Sequence, residues 1–265
     1  MGATIERTKH YDGRVILEHK PNGRPRYRIQ DLDVSEDWKV LPGVTTALGI
    51  MDKPNLLQWA ANEAAKHYRD SGPGDHYDDA RYAWRTKRDK SADLGTIAHD
   101  QISEILSGNE PKIDPATEKI MKAFDGFMNA LKPEVIATEQ PVVSRSMGYG
   151  GKFDFECMID GKLYMGDFKT GDPDKEFKNN KYTGKYRART EHMMQNAAYA
   201  MARSEEYPEK IYHGFIVAYV TKSGKFMYFV TDKVKHYTEA WKVCLYLSRA
   251  KGQLDNEINQ YERPQ

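Results

Sequence analysis

Two aspartates and a lysine in one short stretch are the residues of this chain best suited to chemistry. From Gly148 to Gly171 the sequence runs GYGGKFDFECMIDGKLYMGDFKTG. Asp160-Gly161 within it is a strong hairpin-turn dipeptide. With those two residues as the loop, Ile159 pairs with Lys162, and the same register carried back sets Asp154 opposite Asp167. Directly opposed side chains on a hairpin have Cβ atoms ~4.5–5.5 Å apart, and like charges there destabilise the sheet. Lys169 follows Asp167 by two residues and projects from the same face. Facing carboxylates beside a lysine make poor structure and a good site for a hard divalent cation, which takes one or two carboxylates plus water and phosphate oxygens. The opposite face would carry Phe153, Phe155, Cys157, Ile159, Tyr164 and Phe168, a core face by period-2 alternation. The competing reading is a surface hairpin whose polar face is merely solvated.

The elements that must hold this hairpin follow from pattern and punctuation. RVILEH and RYRIQD, at 14–19 and 26–31, flank the turn signal Pro21-Asn22-Gly23 and predict a first hairpin. Val44 to Ile50 predicts a short helical turn, and Pro54 opens a second helix with Leu56, Leu57, Ala60, Ala61 and Ala64 on one side. A loop over 70–78 precedes helices from about Asp79 to Lys90 and from Ala92 to Leu106, and another helix spans Pro115 to Leu131. Strand signals cover 134–144. After Thr170 the chain turns hydrophilic, with Lys175, Lys178, Lys181, Lys185, Arg187 and Arg189, and predicts a mobile loop. A helix then starts near Thr190 as N-cap. Strands at 211–220 and 225–231 flank Lys222-Ser223-Gly224, and a long helix runs from about Lys233 to Gln253. The expected organisation is a single domain over 1–265, with a hairpin and helical part over 1–131 and a catalytic sheet core plus C-terminal helix over 132–265. The fold class is α/β, a mixed central sheet flanked by helices with a helical N-terminal elaboration.

Bulk properties narrow the function classes. The 265 residues carry 30% charged side chains yet a net charge of only +1, so a nucleic-acid partner has to be met by a local basic patch. The two cysteines, Cys157 and Cys244, are far apart, which excludes a cysteine-rich zinc or iron–sulfur module and points to a reducing compartment. No run of ~18 apolar residues predicts a membrane span. The stretch MGATIERTKHYDG lacks the apolar centre of a secretory signal, and Glu6 stands where a myristoylation pattern wants Ser or Thr. The cytoplasm is the expected location.

Further residues fall into a recognisable order. His99 sits in LGTIAHDQISE, and Gln195 and Tyr199 lie four apart on one helix face. In chain order the sequence shows G-T-x-x-H at 95–99, G-x-x-D at 151–154, D-x-K at 167–169 and Q-x-x-x-Y at 195–199. This series resembles the RecB-like branch of the PD-(D/E)xK nuclease superfamily. VTTALGIMDKPNLLQWAANEAA, from Val44, is similar to the corresponding region of phage exonucleases and their mitochondrial single-strand exonuclease relatives. The resemblance covers roughly residues 41–231.

The resemblance implies a restriction-endonuclease-like core and a set of roles. His99, Asp154 and Asp167 would be metal ligands, joined by the Phe168 backbone carbonyl, and Asp154, Asp167 and Lys169 would be catalytic. Gln195 and Tyr199 would contact the nucleic-acid backbone. Relatives often carry a glutamate three or four residues after the histidine; here Glu104 comes at i+5 and is left out of the site. The implied cofactor is Mg²⁺ or Mn²⁺, with no iron–sulfur cluster. The implied partner is DNA, single-stranded or with free ends, and the location would be a bacterial host cytoplasm for a phage-encoded protein. Lys185, Arg187 and Arg189, with helical residues from Arg81 to Lys90, are candidates to neutralise flanking phosphates. Tyr182, Tyr186 and Trp84 are candidates to stack unpaired bases. The expected function is a metal-dependent DNA exonuclease of phage or bacterial DNA metabolism. A catalytically inactive nuclease-like binding module and an endonuclease are the alternatives.

Overall fold

In the computed structural model, residues 5–20, 26–72, 74–178 and 181–261 are described. Strands β1 (Glu6–His10), β2 (Val15–His19), β3 (Tyr27–Asp31) and β4 (Lys39–Leu41) form an antiparallel sheet in that order. The predicted first hairpin is β2–β3, extended by a strand on each side; its turn signal, Pro21-Asn22-Gly23, lies outside the described residues. Helix α1 (Val44–Ala47) runs into a 3₁₀ turn at Leu48–Ile50, and α2 (Pro54–Asp70) follows with proline in its first turn. The helices predicted at 79–90 and 92–106 are one, α3 (Tyr77–Leu106). Nothing between Lys90 and Ala92 breaks a helix, since neither proline nor glycine intervenes. Helix α4 (Glu118–Leu131) then leads into the central sheet.

That sheet has five strands: β5 (Glu134–Thr138), β8 (Phe155–Ile159), β9 (Lys162–Lys169), β12 (Tyr212–Val220) and β13 (Phe226–Thr231). Their order is β13-β12-β9-β8-β5, with β9 and β12 parallel and the other neighbours antiparallel. Two short ribbons sit beside it, β6 (Pro141–Ser144) with β7 (Tyr149–Lys152), and β10 (Asp174–Lys178) with β11 (Lys181–Arg187). Helix α5 (Thr190–Glu206) joins β11 to β12, and α6 (Val234–Tyr261) closes the chain. The α5 N-cap is Arg189, one residue before the Thr190 expected. Ile120, Phe124 and Phe127 of α4 pack with Ala98 and Ile102 of α3 on one face of the sheet. Met194, Ala198 and Tyr199 of α5 and Trp241 of α6 pack on the other, together with Val44 and Leu48. The mixed sheet flanked by helices is the architecture the sequence predicts.

The β8–β9 hairpin keeps its predicted register from Ile159↔Lys162 to Phe155↔Gly166. Asp160 and Gly161 have φ of 49° and 71°, the pair of positive values that a two-residue type I′ turn requires. The competing reading of a solvated polar face fails here, and so does the expected placement of Phe153. The Asp167 face is not a solvated face, because Leu163 and Met165 on it are buried under α5. A central strand with a parallel neighbour is covered on both sides. Phe153 packs with that face rather than with Phe155, because the chain leaves the ladder at Phe153-Asp154 and the alternation restarts.

Two further segments differ from expectation. The stripe on α2 is largely exposed, with Leu57 at 70%, because the helix lies along α3 instead of on the sheet. The segment expected to be a mobile loop is mostly the β10–β11 hairpin. Its hydrophilic composition hides the strand formers Phe177, Tyr182, Thr183 and Tyr186.

Candidate active site

The site forms where the sheet ladder kinks. β5 passes into β6 through Glu139-Gln140, and β7 passes into β8 through Phe153-Asp154. The two crossings are tied together: the Asp154 carbonyl accepts from Thr138 Oγ1 at 2.9 Å and from the Glu139 N–H at 3.0 Å. The Phe153 N–H donates to the Gln140 carbonyl at 3.2 Å. Glu139 turns the chain with φ of 50°, in the left-handed region. The strand signals over 134–144 are therefore two strands in two sheets. Such breaks in a ladder re-aim side chains and are common beside active sites.

The Asp154 carboxylate is held by the Phe168 N–H, which donates to Oδ2 at 2.7 Å. His99, on α3, brings Nδ1 to 3.5 Å from that same oxygen. Asp167 is fully buried, and Lys169 Nζ lies 2.7 Å from each of its oxygens while donating to Oδ1. Asp167 Oδ2 has no hydrogen-bond partner. Gln195 Oε1 accepts a long bond from Lys169 Nζ at 3.4 Å, and Gln195 Nε2 donates to Tyr199 Oη at 2.9 Å. Tyr199 is 3% exposed, so it offers no surface to a nucleic-acid backbone. It lies against β7, where a Cβ on Gly151 would stand 2.4 Å from its ring. That close approach accounts for the glycine of the G-x-x-D motif.

Burial sets the electrostatics. It pushes the Asp167 carboxyl up to about 7 against the pull of Lys169, with the Asp154 charge adding to the rise. Burial likewise raises Asp154, partly offset by Lys169. The Lys169 ammonium is disfavoured by burial, but Asp167 and Asp154 outweigh that and hold its pKa above the usual value. His99 is lowered by burial and by Lys169, so its imidazole is poised neutral and able to donate a lone pair.

The structure adds Glu139, which sequence reasoning missed. His99, Glu139 and Asp154 each place a ligand atom within 4.8 Å of the others. The Glu139 carboxyl is raised by burial and by Asp154, and Lys152 Nζ approaches it at 2.5 Å. The signal was available: Glu-Gln-Pro interrupts a strand run, and proline inside a sheet marks an edge, a strand start or a bulge. One imidazole, several carboxylates and an orphaned carboxylate oxygen at Asp167 fit a divalent cation such as Mg²⁺ or Mn²⁺.

The basic residues lie further out. Arg187 and Arg189 line a cleft of about 690 Å³ with Lys53, Trp59, Lys169 and Gln195. Arg189 Nε also donates to Asp174 Oδ1 at 3.1 Å. Lys185 is exposed on β11 and is not among the residues lining that cleft. Tyr186 is 39% exposed and Trp84 half-buried, and the Tyr182 side chain lies outside the described residues. His192, unremarked in the sequence, lines the cleft, and burial and then the charges of Lys169, Arg189 and Lys53 drive its pKa down to about 2. Among the described residues, no helix is long and apolar enough to cross a membrane.

No protein-family model and no curated protein matches the chain. Solved structures similar to it include two exonucleases. One is a candidate exonuclease from Eubacterium rectale, 11% identical, covering 64% of this chain and 69% of its own, with a TM-score of 0.41. The other is an alkaline exonuclease, LHK-Exo, from Laribacter hongkongensis, 12% identical, covering 60% of this chain and 85% of its own, with a TM-score of 0.28. Likenesses this distant leave the reading of the site to its own geometry.

Proposed function

We propose that this chain is a divalent-metal-dependent DNA nuclease that works as an exonuclease in phage or bacterial DNA replication, recombination or repair. The observation that supports it most is a pair of carboxylates, buried Asp167 and half-buried Asp154, with Asp167 Oδ2 lacking a hydrogen bond, His99 and Glu139 beside Asp154, and a charged lysine at hand. His99, Glu139, Asp154 and Asp167 would hold the cation, with the Phe168 carbonyl. Mg²⁺ or Mn²⁺ bound there supplies Lewis acidity toward a phosphoryl oxygen and lowers the pKa of bound water.

The chain's own groups do the rest. Lys169 keeps its proton and offers donors to the attacking water and to charge developing on the phosphate. Gln195 gives Lys169 a second acceptor, so the ammonium is not drawn wholly onto Asp167. Tyr199 positions Gln195. Lys185, Arg187 and Arg189 neutralise flanking phosphates from the β11 side. The preference for strand ends rests on the resemblance of the motifs within residues 41–231.

End-labelled linear DNA and covalently closed circular DNA, incubated with Mg²⁺ or EDTA, test this. Mononucleotide or short-oligonucleotide release from the linear form alone, and only with Mg²⁺, is expected. A nicked or linearised circle would make the protein an endonuclease. Binding without cleavage of either would make it a binding module.

A further inference from the structure

The helix that delivers His99 to the site carries an unusual second surface. On α3, Arg81 and Arg85 lie over the Tyr82 ring at 5.0 and 4.4 Å, and Arg85 and Arg88 lie over Trp84 at 5.6 and 5.1 Å. All three arginines are exposed, and Tyr82 is 40% exposed. With ~3.6 residues per turn, positions 81, 85, 88, 92, 96 and 99 share one face. Between the arginines and His99 that face presents only Ala92 and Thr96, both exposed, with Gly95 at its edge. A small-residue track therefore joins an arginine–aromatic ladder to the site.

We propose that this face of α3 is a guide for a single strand of nucleic acid entering or leaving the site. The proposal rests on the nuclease reading for the direction of the track, though not for the binding itself. Exposed guanidinium groups and rings side by side offer planes on which unpaired bases stack, whereas a duplex hides its bases. The charge is local. Asp78 and Asp89 flank the face, and Arg88 Nε donates to Asp89 Oδ1 at 2.9 Å. Lys87 turns away to pair with Glu63 of α2. Arg81 and Arg85 are left to meet phosphate or base.

Helix geometry gives the track a length. At ~1.5 Å per residue, Arg88 stands ~16 Å from His99 and Arg81 ~27 Å. At the ~3.4 Å spacing of stacked bases this is at most about five to eight nucleotides, fewer where the strand is drawn out. Strands shorter than about four nucleotides cannot reach both ends.

Labelled oligothymidylates of about four, eight and twelve nucleotides, titrated in EDTA so that nothing is cut, test the assignment. Wild-type affinity should rise roughly tenfold across that range. Arg81→Gln/Arg85→Gln/Arg88→Gln should lack the rise, with its salt slope smaller by about 2. The matching triple lysine variant should keep the salt slope but not the full affinity, since an ammonium offers no flat face. Circular dichroism and Tm would confirm that both variants fold. A glutamine variant that keeps the length step overturns the track. Equal loss on a blunt duplex overturns the single-strand assignment, and a lysine variant with wild-type affinity overturns stacking. A protein that shows the step yet cuts nothing in Mg²⁺ keeps the track and loses the nuclease reading.

Discussion

Two carboxylates two residues apart on one chain face very different surroundings. Glu156 on β8 is fully buried and fully served: Lys210 Nζ donates to Oε2 at 2.7 Å, Tyr212 Oη donates to Oε1, and Arg203 Nη2 stands 3.9 Å away. Asp154, at the kink, and Asp167 share one lysine and repel each other, and Asp167 Oδ2 has no hydrogen bond beyond the ion pair with Lys169. Burial alone therefore does not mark a functional acid. An acid with its full complement of donors ties elements together, here β8 to β12 and the end of α5. An acid set short of positive charge is built to receive some.

Substitutions should separate the two. Asp167→Asn is expected to cut Mg²⁺-dependent cleavage by roughly 10²–10³-fold or more, while Tm in EDTA holds or rises because a like-charge contact is relieved. Normal cleavage by that variant would remove the proposed site. Lys169→Ala should lose about 10²-fold in kcat at saturating DNA with affinity little changed; weak binding with normal kcat would instead make Lys169 a binding residue. Glu156→Ala should do the reverse of Asp167→Asn. Removing the buried acid that Lys210, Arg203 and Tyr212 share costs at most about 3–5 kcal/mol. That would lower Tm by at most roughly 6–20 °C, with activity per folded molecule retained. A Glu156→Ala variant as stable as wild type would break the comparison from the structural side.

Smaller effects sharpen it further. Neutralising Lys185, Arg187 and Arg189 together should weaken DNA binding and flatten its salt dependence by about 2 in slope, with cleavage at saturation falling less than in Asp167→Asn. A wild-type salt slope would mark them as merely solvated. Glu18 supplies a third buried acid, between Arg28 at 2.5 Å and Arg7 at 3.0 Å. Burial raises its pKa, but hydrogen bonds from Arg28 and Arg7 bring it below the usual 4.5. Its folded pKa is depressed, so its contribution to stability is present above pH 4.5 and lost as pH falls through the lower folded value. Glu18→Gln should flatten the acid limb of a stability–pH curve and leave the neutral region least affected in shape. An unchanged acid limb would show that the arginines do not hold it.

Much of the β8–β9 hairpin was legible because its determinants are local. Asp160-Gly161 sets the turn, and the turn sets the register from Ile159↔Lys162 to Phe155↔Gly166. The parts that escaped depend on distant partners. Glu139 enters the site only because its backbone is tied to Asp154, a contact between segments that no periodicity encodes. Tyr199 looks like a surface contact on its helix, and only the close passage of Gly151 shows it to be buried. Leu56 and Leu57 form a respectable apolar stripe, yet α2 packs along α3 and leaves them exposed at 45% and 70%. The β10–β11 hairpin was hidden because its pairing rests on a few aromatic strand formers within a polar segment.

Metal affinity tests the central claim most directly. Mn²⁺ can be titrated into the metal-free protein and free ion followed by electron paramagnetic resonance, for wild type, Asp154→Asn and Glu139→Gln. Saturable binding by the wild type is expected, with its loss in Asp154→Asn and weakening by about 10–100-fold in Glu139→Gln. Equal Mn²⁺ binding by all three proteins, or none by the wild type, would contradict it.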